Sequence, residues 1–316
     1  MSQLLLPSLE IKGFRGFQHL RIENLQRVNL IVGKNSVGKT SLLEALWLYA
    51  SDWNKYVESG ILRERNEERQ AHYDPKELDY NNSVRHLFFN RPTLSSNNPL
   101  EISIGSVESP MTFSIDTGAR NGTPRAHIII PVGGLSPHEI EQAWDAIALT
   151  ERQDYLLEAL RIIEPSIADV NMIASQARGG TYAGRRVPFV RMNGTNIPVP
   201  LRSVGEGMMR MFVFALALAN ADNGFLLVDE IESGIHYSVQ PDMWQLIFRI
   251  AQQLNIQVFA TTHSWDCIEG FQNAVAKEGF DDGLVVRLEK HGDEVTSTLF
   301  DARRLSIATN ELIEIR

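Results

Sequence analysis

Gly33-Lys34-Asn35-Ser36-Val37-Gly38-Lys39-Thr40 fits the pattern G-x-x-x-x-G-K-[ST]. These residue types at this spacing suit a phosphate. The glycines let successive backbone N–H groups turn toward one anion, and a following helix adds the partial positive charge of its N-terminus. Lys39 then reaches the β- and γ-phosphates of a nucleotide such as ATP, and the Thr40 hydroxyl ligates Mg2+. The pattern carries this meaning only between a strand and a helix. Here "RVNLIVG" precedes it as a short apolar strand, and "SLLEALWLYASDW" follows with apolar residues at helical spacing.

Three further stretches hold chemistry-bearing side chains. "FLLVDE" ends an apolar run on Asp229 and Glu230. Beside a nucleotide, Asp229 would hold the metal and Glu230 would polarise an attacking water; elsewhere, two acids simply end a strand. Glu232, two residues on, reads as a solvated neighbour. "FATTHS" sets His263 at the end of another apolar strand, and ligands of parallel sheets gather at the carboxyl ends of strands. His263 there either donates to a γ-phosphate or serves packing. Finally, "SVGEG" (Ser203 to Gly207) opens the apolar stretch "MMRMFVFALALAN". It is either a turn with a helix cap or a second anion-binding helix mouth. One glycine-rich loop already cradles its own nucleotide, so a second mouth makes sense pressed against a nucleotide held by another copy of the chain.

The elements that position these residues follow from local patterns. "LEIKGFRGF" is a strand ahead of "RVNLIVG". The charged region Glu58 to Glu77 reads as a solvated loop or helix face, and "RPTLSSNNP" as a loop. From Leu100 the period becomes two, and "LEISIGS", "MTFSIDT" and "RAHIIIPV" read as an antiparallel meander. Two helices are predicted from Ser136-Pro137 through "PSIADV". Asn193-Gly194 signals a hairpin in "RRVPFVRMNGTNIPVPL". "GFLLVDE" and "IQVFATTH" read as buried strands, "SVQPDMWQLIFRIAQQLN" between them as a helix despite Pro241, and "GLVVRLEKHGDEVTSTLF" as a terminal hairpin.

Composition bounds the function. The 316 residues are 43% hydrophobic and 22% charged with a net charge of −9, ordinary for a soluble protein and opposed to a chain-wide nucleic-acid polycation. A lone cysteine, Cys267, excludes an intrachain disulfide and a cysteine zinc cluster, which fits a cytoplasmic setting. "MSQLLLPSLEIKGF" is too interrupted for a signal peptide. "MFVFALALA" is roughly half of the ~20 residues a membrane span needs, so no membrane segment is expected.

Taken in order, "IKGFRGF", "GKNSVGKTSLLEAL", "RSVGEGMMR", "LLVDEIESGIH", "ATTHS" and the tail from "VVRLEKHGDEV" resemble the ABC-type ATPase heads of the SMC and RecF class. They most resemble the OLD-family ATPases (AAA-15 or AAA-21 type). The resemblance implies an α/β fold: an ABC-ATPase-like P-loop head with an N-terminal antiparallel β region. It also implies a single domain formed by residues 1–99 and 200–316, with a mixed α/β insertion at about 100–199 between the Walker A and signature motifs. Gly33 through Ser41 become the nucleotide-binding loop, with Lys39 and Thr40 its Walker A lysine and threonine. Asp229 becomes the Walker B metal carboxylate, Glu230 the catalytic base and His263 the switch histidine. Ser203 and Gly205 fall in the signature that crosses a dimer to the partner's γ-phosphate, reading "SVGEG" where transporters have "LSGGQ". Arg15 occupies the place of a near-nucleotide arginine.

The expectation is a Mg2+-dependent ATPase acting as a homodimer or higher homo-oligomer. It would control a separate effector, a nuclease or toxin, in bacterial defence against phage. Sustained heptads, a zinc hook and the Toprim nuclease motif are all missing, so a stand-alone form is expected. The alternative is a RecF-like repair ATPase that binds DNA, for which Arg185, Arg186, Arg191 and Arg202 are a modest basic cluster or a solvated strand face. A transporter subunit is disfavoured by the divergent signature, and a non-hydrolysing scaffold by Glu230.

Overall fold

The computed structural model describes residues 3–67, 83–92, 100–114, 124–174, 185–279, 281–311 and 313–315. The chain opens with β1 (Leu9–Phe14) and β2 (Phe17–Ile22), an antiparallel hairpin. β3 (Val28–Val32) feeds the glycine-rich loop and α1 (Lys39–Ala50), and α2 (Lys55–Glu64) follows. β4 (Glu101–Gly105) and β5 (Pro110–Ser114) return to the hairpin and complete an antiparallel sheet ordered β2-β1-β4-β5. β6 (His127–Ile130) precedes α3 (Pro137–Ile147) and α4 (Gln153–Ile163). β7 (Ile167–Ala174), β8 (Arg186–Met192) and β9 (Val199–Pro200) form a small antiparallel sheet. Then come α5 (Glu206–Asn220), β10 (Phe225–Val228), α6 (Gln240–Gln253), β11 (Gln257–Thr261) and α7 (Trp265–Glu278). β12 (Gly283–His291), β13 (Glu294–Phe300) and α8 (Ala302–Asn310) end the described elements.

The central sheet runs β13-β12-β3-β11-β10-β6. Its strands are parallel except β13, which pairs antiparallel with β12 at one edge. The registers Leu226↔Val258 and Val258↔Val28 bring β10, β11 and β3 level. Gly33, Asp229 and the residues after Thr261 therefore leave the sheet along one carboxyl edge. Both faces of the sheet are covered, which is why its strands read as continuous apolar runs. Alternate residues still divide between two cores. Leu30, Leu226, Val228, Val258 and Ala260 face the core built with α5, α6 and α7. Ile31, Phe225, Leu227 and Phe259 face the core shared with α1 and the antiparallel sheet.

α1 lies between the two sheets. Leu42, Leu43, Ala45, Leu46, Leu48 and Ala50 are all buried in one cluster with Ile11, Phe17 and Ile102 on one side and Phe225 and Phe259 on the other. A helix that is apolar nearly all round is a buried helix. Two buried amides close the sheet beneath it. Asn29 donates to the carbonyls of Gln26 and Val258 and accepts from the Gln26 N–H. Gln257 accepts from the Leu6 N–H and donates to Leu6 and Gln26 carbonyls. Each amide thus regains inside the protein the partners it had in water.

Several expectations need correction. The three strands after Leu100 are no meander. β4 and β5 extend the N-terminal sheet, but "HIII" crosses over as β6 and pairs parallel with β10, from Phe225↔His127 to Val228↔Ile130. A short apolar run carries no record of which sheet it joins. Within residues 100–200, β4 and β5 lie in the N-terminal sheet, β6 in the central sheet, and β7 to β9 in a sheet of their own. "PSIADV" enters strand β7 after α4 ends at Ile163, with Pro165 barring continuation. Glu58 is buried rather than solvated, accepting the Trp53 Nε1–H at 2.7 Å. The charged stretch beyond residue 67 and the loop at 93–99 lie outside the described residues. The helix start at Ser136-Pro137 is found as a full capping box with Glu139.

Candidate functional site

The loop after β3 turns sharply. Gly33 has φ +143, and a Cβ there would stand 2.6 Å from the Leu288 carbonyl oxygen of β12. Only glycine allows both the dihedral and that approach. α1 begins on Gly38 with no side-chain cap, so its first N–H groups are available to an anion. Lys39 folds back over the loop, its Nζ 2.7 Å from the Gly33 oxygen and 3.2 Å from the Lys34 oxygen. Burial holds the Lys39 pKa below the ordinary lysine value, and Asp229, Glu230 and Glu232 oppose that shift. An ammonium partly stripped of water beside three carboxylates is poised for a polyanion.

Asp229 closes the other side. Its Oδ2 accepts the Thr40 hydroxyl at 2.8 Å, and its Oδ1 accepts the Thr261 hydroxyl. Thr261 in turn accepts the Glu230 N–H at 2.9 Å. Three strands are thereby tied at one point: β3 through the loop, β10 through Asp229 and β11 through Thr261. Glu230 adopts a left-handed backbone with φ 48, a conformation that costs about 1–3 kcal/mol and persists where neighbours over-determine it. Its side chain is 37% exposed at the edge of the site.

Arg210, on α5, was not singled out by sequence reasoning. Its guanidinium donates to the carbonyl oxygens of Asp229 and Glu230, both at 3.3 Å, and of Val132 at 3.4 Å. Burial lowers its pKa, and Glu230, Glu232 and Asp229 oppose that shift. The helix behind "SVGEG" is therefore fastened to the backbone of the acidic pair. No local signal marks Arg210, because its partners are main-chain atoms distant in sequence.

His263 follows β11 and remains 53% exposed, with Nδ1 3.8 Å from Glu230 Oε1 and 3.5 Å from Glu232 Oε1. Glu232 is only 10% exposed and also accepts the His263 backbone N–H at 3.2 Å. It is an inward-facing carboxylate, not the solvated neighbour its sequence position implied.

Among the described residues, Ser203 and Gly205 make no hydrogen bond to these groups. Leu201–Ser203 is a short 3-10 turn, and α5 starts on Gly205 with no side-chain cap. Gly205 has φ +153, a Cβ there would meet nothing within 4 Å, and Ser203 is exposed. Among the described residues, the Ser203 side chain makes no hydrogen bond. Beside this mouth a cleft of about 380 Å3 is lined by Gly133, Gly134, Arg186, Arg202, Met209 and Arg210, among others.

Arg15 is placed against α1. Its backbone is left-handed with φ 48, and its buried Nε lies 2.6 Å from Glu44 Oε2, close but misaligned for a hydrogen bond. Its Nη1 donates to Glu67 at 2.9 Å. Arg65 also binds Glu44, at 2.8 Å, and reaches Ser41 Oγ at 3.4 Å. The Arg15 guanidinium is thus engaged by two carboxylates behind the loop. In the basic cluster, Arg186 is likewise engaged, pairing with Asp145 in a fork of 2.6 and 2.7 Å.

The donor set fits a Mg-nucleotide. A hydroxyl and a carboxylate oxygen meet at 2.8 Å, with an amine and an uncapped helix N-terminus beside them. Among the described residues no group of three or more His, Cys, Asp or Glu could hold a metal alone. Mg2+ keeps waters and takes phosphate oxygens along with one or two protein ligands, a demand that the Thr40 hydroxyl and the Asp229 carboxylate can meet.

Comparison with known proteins gives the family and the fold. A family model described as an AAA ATPase domain (AAA_15) matches residues 5–104 and 137–268. The chain is 30% identical over 96 residues to the uncharacterized protein MJECL11 of Methanocaldococcus jannaschii, covering 30% of this chain and 83% of that one. It is 34% identical over 47 residues to the DNA replication and repair protein RecF of Bacillus mycoides, covering 15% of this chain but only 12% of RecF. The fold is similar to an Smc head bound to the C-winged helix domain of ScpA, with TM-score 0.58 and 14% identity over 94% of this chain and 97% of that one. It is also similar to an Smc head from Pyrococcus furiosus bound to the C-terminal domain of ScpA, with TM-score 0.55 and 12% identity over 98% and 99%. The α/β fold thus resembles that of the Smc heads, and the chain belongs to the AAA ATPase domain family.

Proposed function

We propose that this chain is an ATP-hydrolysing switch whose two copies close head to tail around two Mg-nucleotides. One observation carries the reading. The loop, Asp229, Glu230 and His263 are brought together within the chain, while among the described residues the Ser203 side chain makes no hydrogen bond and the helix that starts on Gly205 has no side-chain cap. A site with everything but its far wall calls for a second copy to supply it.

The nucleotide contributes the scissile phosphoanhydride; Thr40 and Asp229 would hold a Mg2+ ion, which would supply positive charge against its phosphates. The residues Gly33 to Ser41 hold the phosphates through backbone N–H groups and the Lys39 amine. Glu230 accepts a proton from the attacking water. Its position is held by the Thr261 hydroxyl on its own N–H and by Arg210 on its carbonyl. His263, which stands 3.8 Å from Glu230, is assigned to the γ-phosphate. Ser203 and the first N–H groups of α5 reach the nucleotide of the other copy. Arg15 acts at one remove, by holding Glu44 on α1.

The order of motifs resembles the OLD class, and on that ground we assign the switch to control of a separate effector, a nuclease or toxin, in defence against phage inside the cytoplasm. No helix among the described residues is long and apolar enough to cross a membrane. A RecF-like role on DNA is the second reading, favoured by the local similarity to RecF. It predicts binding to duplex DNA that weakens steeply as salt rises.

The test is light scattering on Glu230→Gln with and without Mg-ATP. A doubling of mass on ATP addition supports the sandwich. A mass that ATP leaves unchanged, with ATP shown to bind, rejects it.

A further inference from the structure

Glu232 has no role in the reading above, yet it is one of the most constrained carboxylates of the site. Its side chain is 10% exposed, and its Oε2 is buried without a hydrogen-bond partner. A carboxylate withdrawn from water is costly unless its oxygens are used. The oxygen that is used, Oε1, meets His263 twice: the backbone N–H at 3.2 Å and Nδ1 of the ring at 3.5 Å. Glu232 belongs to the turn after β10, and His263 to the end of β11. The contact joins the acidic motif to the histidine across two adjacent strands. Other charges lie around it. Lys39 and Arg210 feel its field together with that of Glu230, and Cys267 on α7 also feels it.

We infer that Glu232 is the positioning residue of His263: it accepts the Nδ1–H edge of the ring, so that Nε2 is the nitrogen turned toward the nucleotide. A histidine in water is free to rotate and to exchange its proton between nitrogens. The hydrogen bond made by one nitrogen decides what the other can do. His263 is half exposed and packs little, so its orientation has to come from such a bond. Glu230 approaches the same Nδ1 at 3.8 Å, but its own N–H is held by Thr261 and its carboxylate is the more exposed of the two. Glu232, anchored by the backbone of residue 263 itself, keeps its place whatever Glu230 does with a proton.

This inference rests on the ATPase reading for its kinetic test and stands apart from it in a spectroscopic one. In steady-state ATP hydrolysis, Glu232→Ala and His263→Asn are each expected to lower kcat by about 10- to 100-fold, as loss of a supporting partner does elsewhere, with KM for ATP little changed. The double variant is expected to be no slower than the slower single one, because the two residues act as a unit. Glu232→Gln, whose amide oxygen still accepts both hydrogen bonds, is expected to restore most of the rate. Losses that multiply in the double variant, or a Glu232→Gln rate no better than that of Glu232→Ala, overturn the proposal. Nitrogen-15 spectra of histidine-labelled protein, assigned with His263→Asn, need no turnover. The neutral ring of His263 is expected to carry its proton on Nδ1, and in Glu232→Ala to revert to the Nε2–H form that free histidine prefers. An unchanged tautomer overturns the assignment. A wild-type protein that binds but never hydrolyses ATP would defeat the functional reading and leave the tautomer test intact.

Discussion

The half of the candidate site around the glycine-rich loop, its proposed Walker side, and the half around "SVGEG", its proposed signature side, differ in how much is already bonded. On the Walker side the principal polar side chains are already bonded inside the chain: Lys39 to two loop carbonyls, Thr40 and Thr261 to Asp229, with the Glu230 N–H on Thr261. On the signature side the helix starts on a glycine with open space around it and an exposed serine just before it. The first arrangement is rigid in advance, so little entropy remains to be lost when phosphate arrives. The second withholds its contacts until something outside the chain provides them. Arg210 is the bridge, rooted in the signature helix and bonded to the carbonyls of Asp229 and Glu230.

That contrast can be broken at either end. Lys39→Ala on the closed side is expected to weaken ATP binding by about 100-fold or more, since a charged hydrogen-bond donor to phosphate is worth roughly 1.5–3 kcal/mol per bond; calorimetry measures it. Ser203→Arg on the open side is expected to leave binding by one copy intact and to abolish the ATP-dependent mass increase in the Glu230→Gln background. Normal assembly there would mean that the mouth faces no second copy. Thr261→Val removes one donor and one acceptor from the wiring and is expected to lower kcat about 10-fold, from a loss near 1–2 kcal/mol, with ATP affinity nearly unchanged. Gly205→Ala is expected to be the mildest. No atom obstructs the new methyl, so only the dihedral opposes it, at a cost of about 1–3 kcal/mol and without the clash that Gly33→Ala would meet at Leu288. Thermal unfolding of those two glycine variants should therefore separate them widely.

Much of this site was legible in the sequence, and the legible part is local. The loop from Gly33 to Thr40, the acids at 229 and 230, and the histidine at 263 each sit at the end of an apolar run. The direction of a parallel strand then fixes where they emerge. What stayed hidden depends on chain segments meeting from far apart. Arg210 binds main-chain oxygens that no motif encodes. Thr261 looks like any strand-ending threonine until Asp229 stands beside it. Glu232 read as solvated because acidity after a strand ordinarily means surface, and burial is decided by α7 and the end of β11. β6 was misread for the same reason: four residues, "HIII", suit either sheet, and the choice is made by β10, almost a hundred residues later.

The strand order of the central sheet also has a kinetic consequence. β3 lies between β11 and β12, which the ribosome delivers more than two hundred residues after it. Pairings this remote in sequence make folding slow, because the loop between them closes at an entropic cost before any contact is gained. During synthesis the glycine-rich loop would hang from an unpaired strand, with α1 lacking one of its two covering walls. A nascent chain cut short before β11 therefore has the whole phosphate motif and no sheet to hold it. ATP binding would thus report that the C-terminal strands have been made and have docked, so the loop becomes competent only in a finished head.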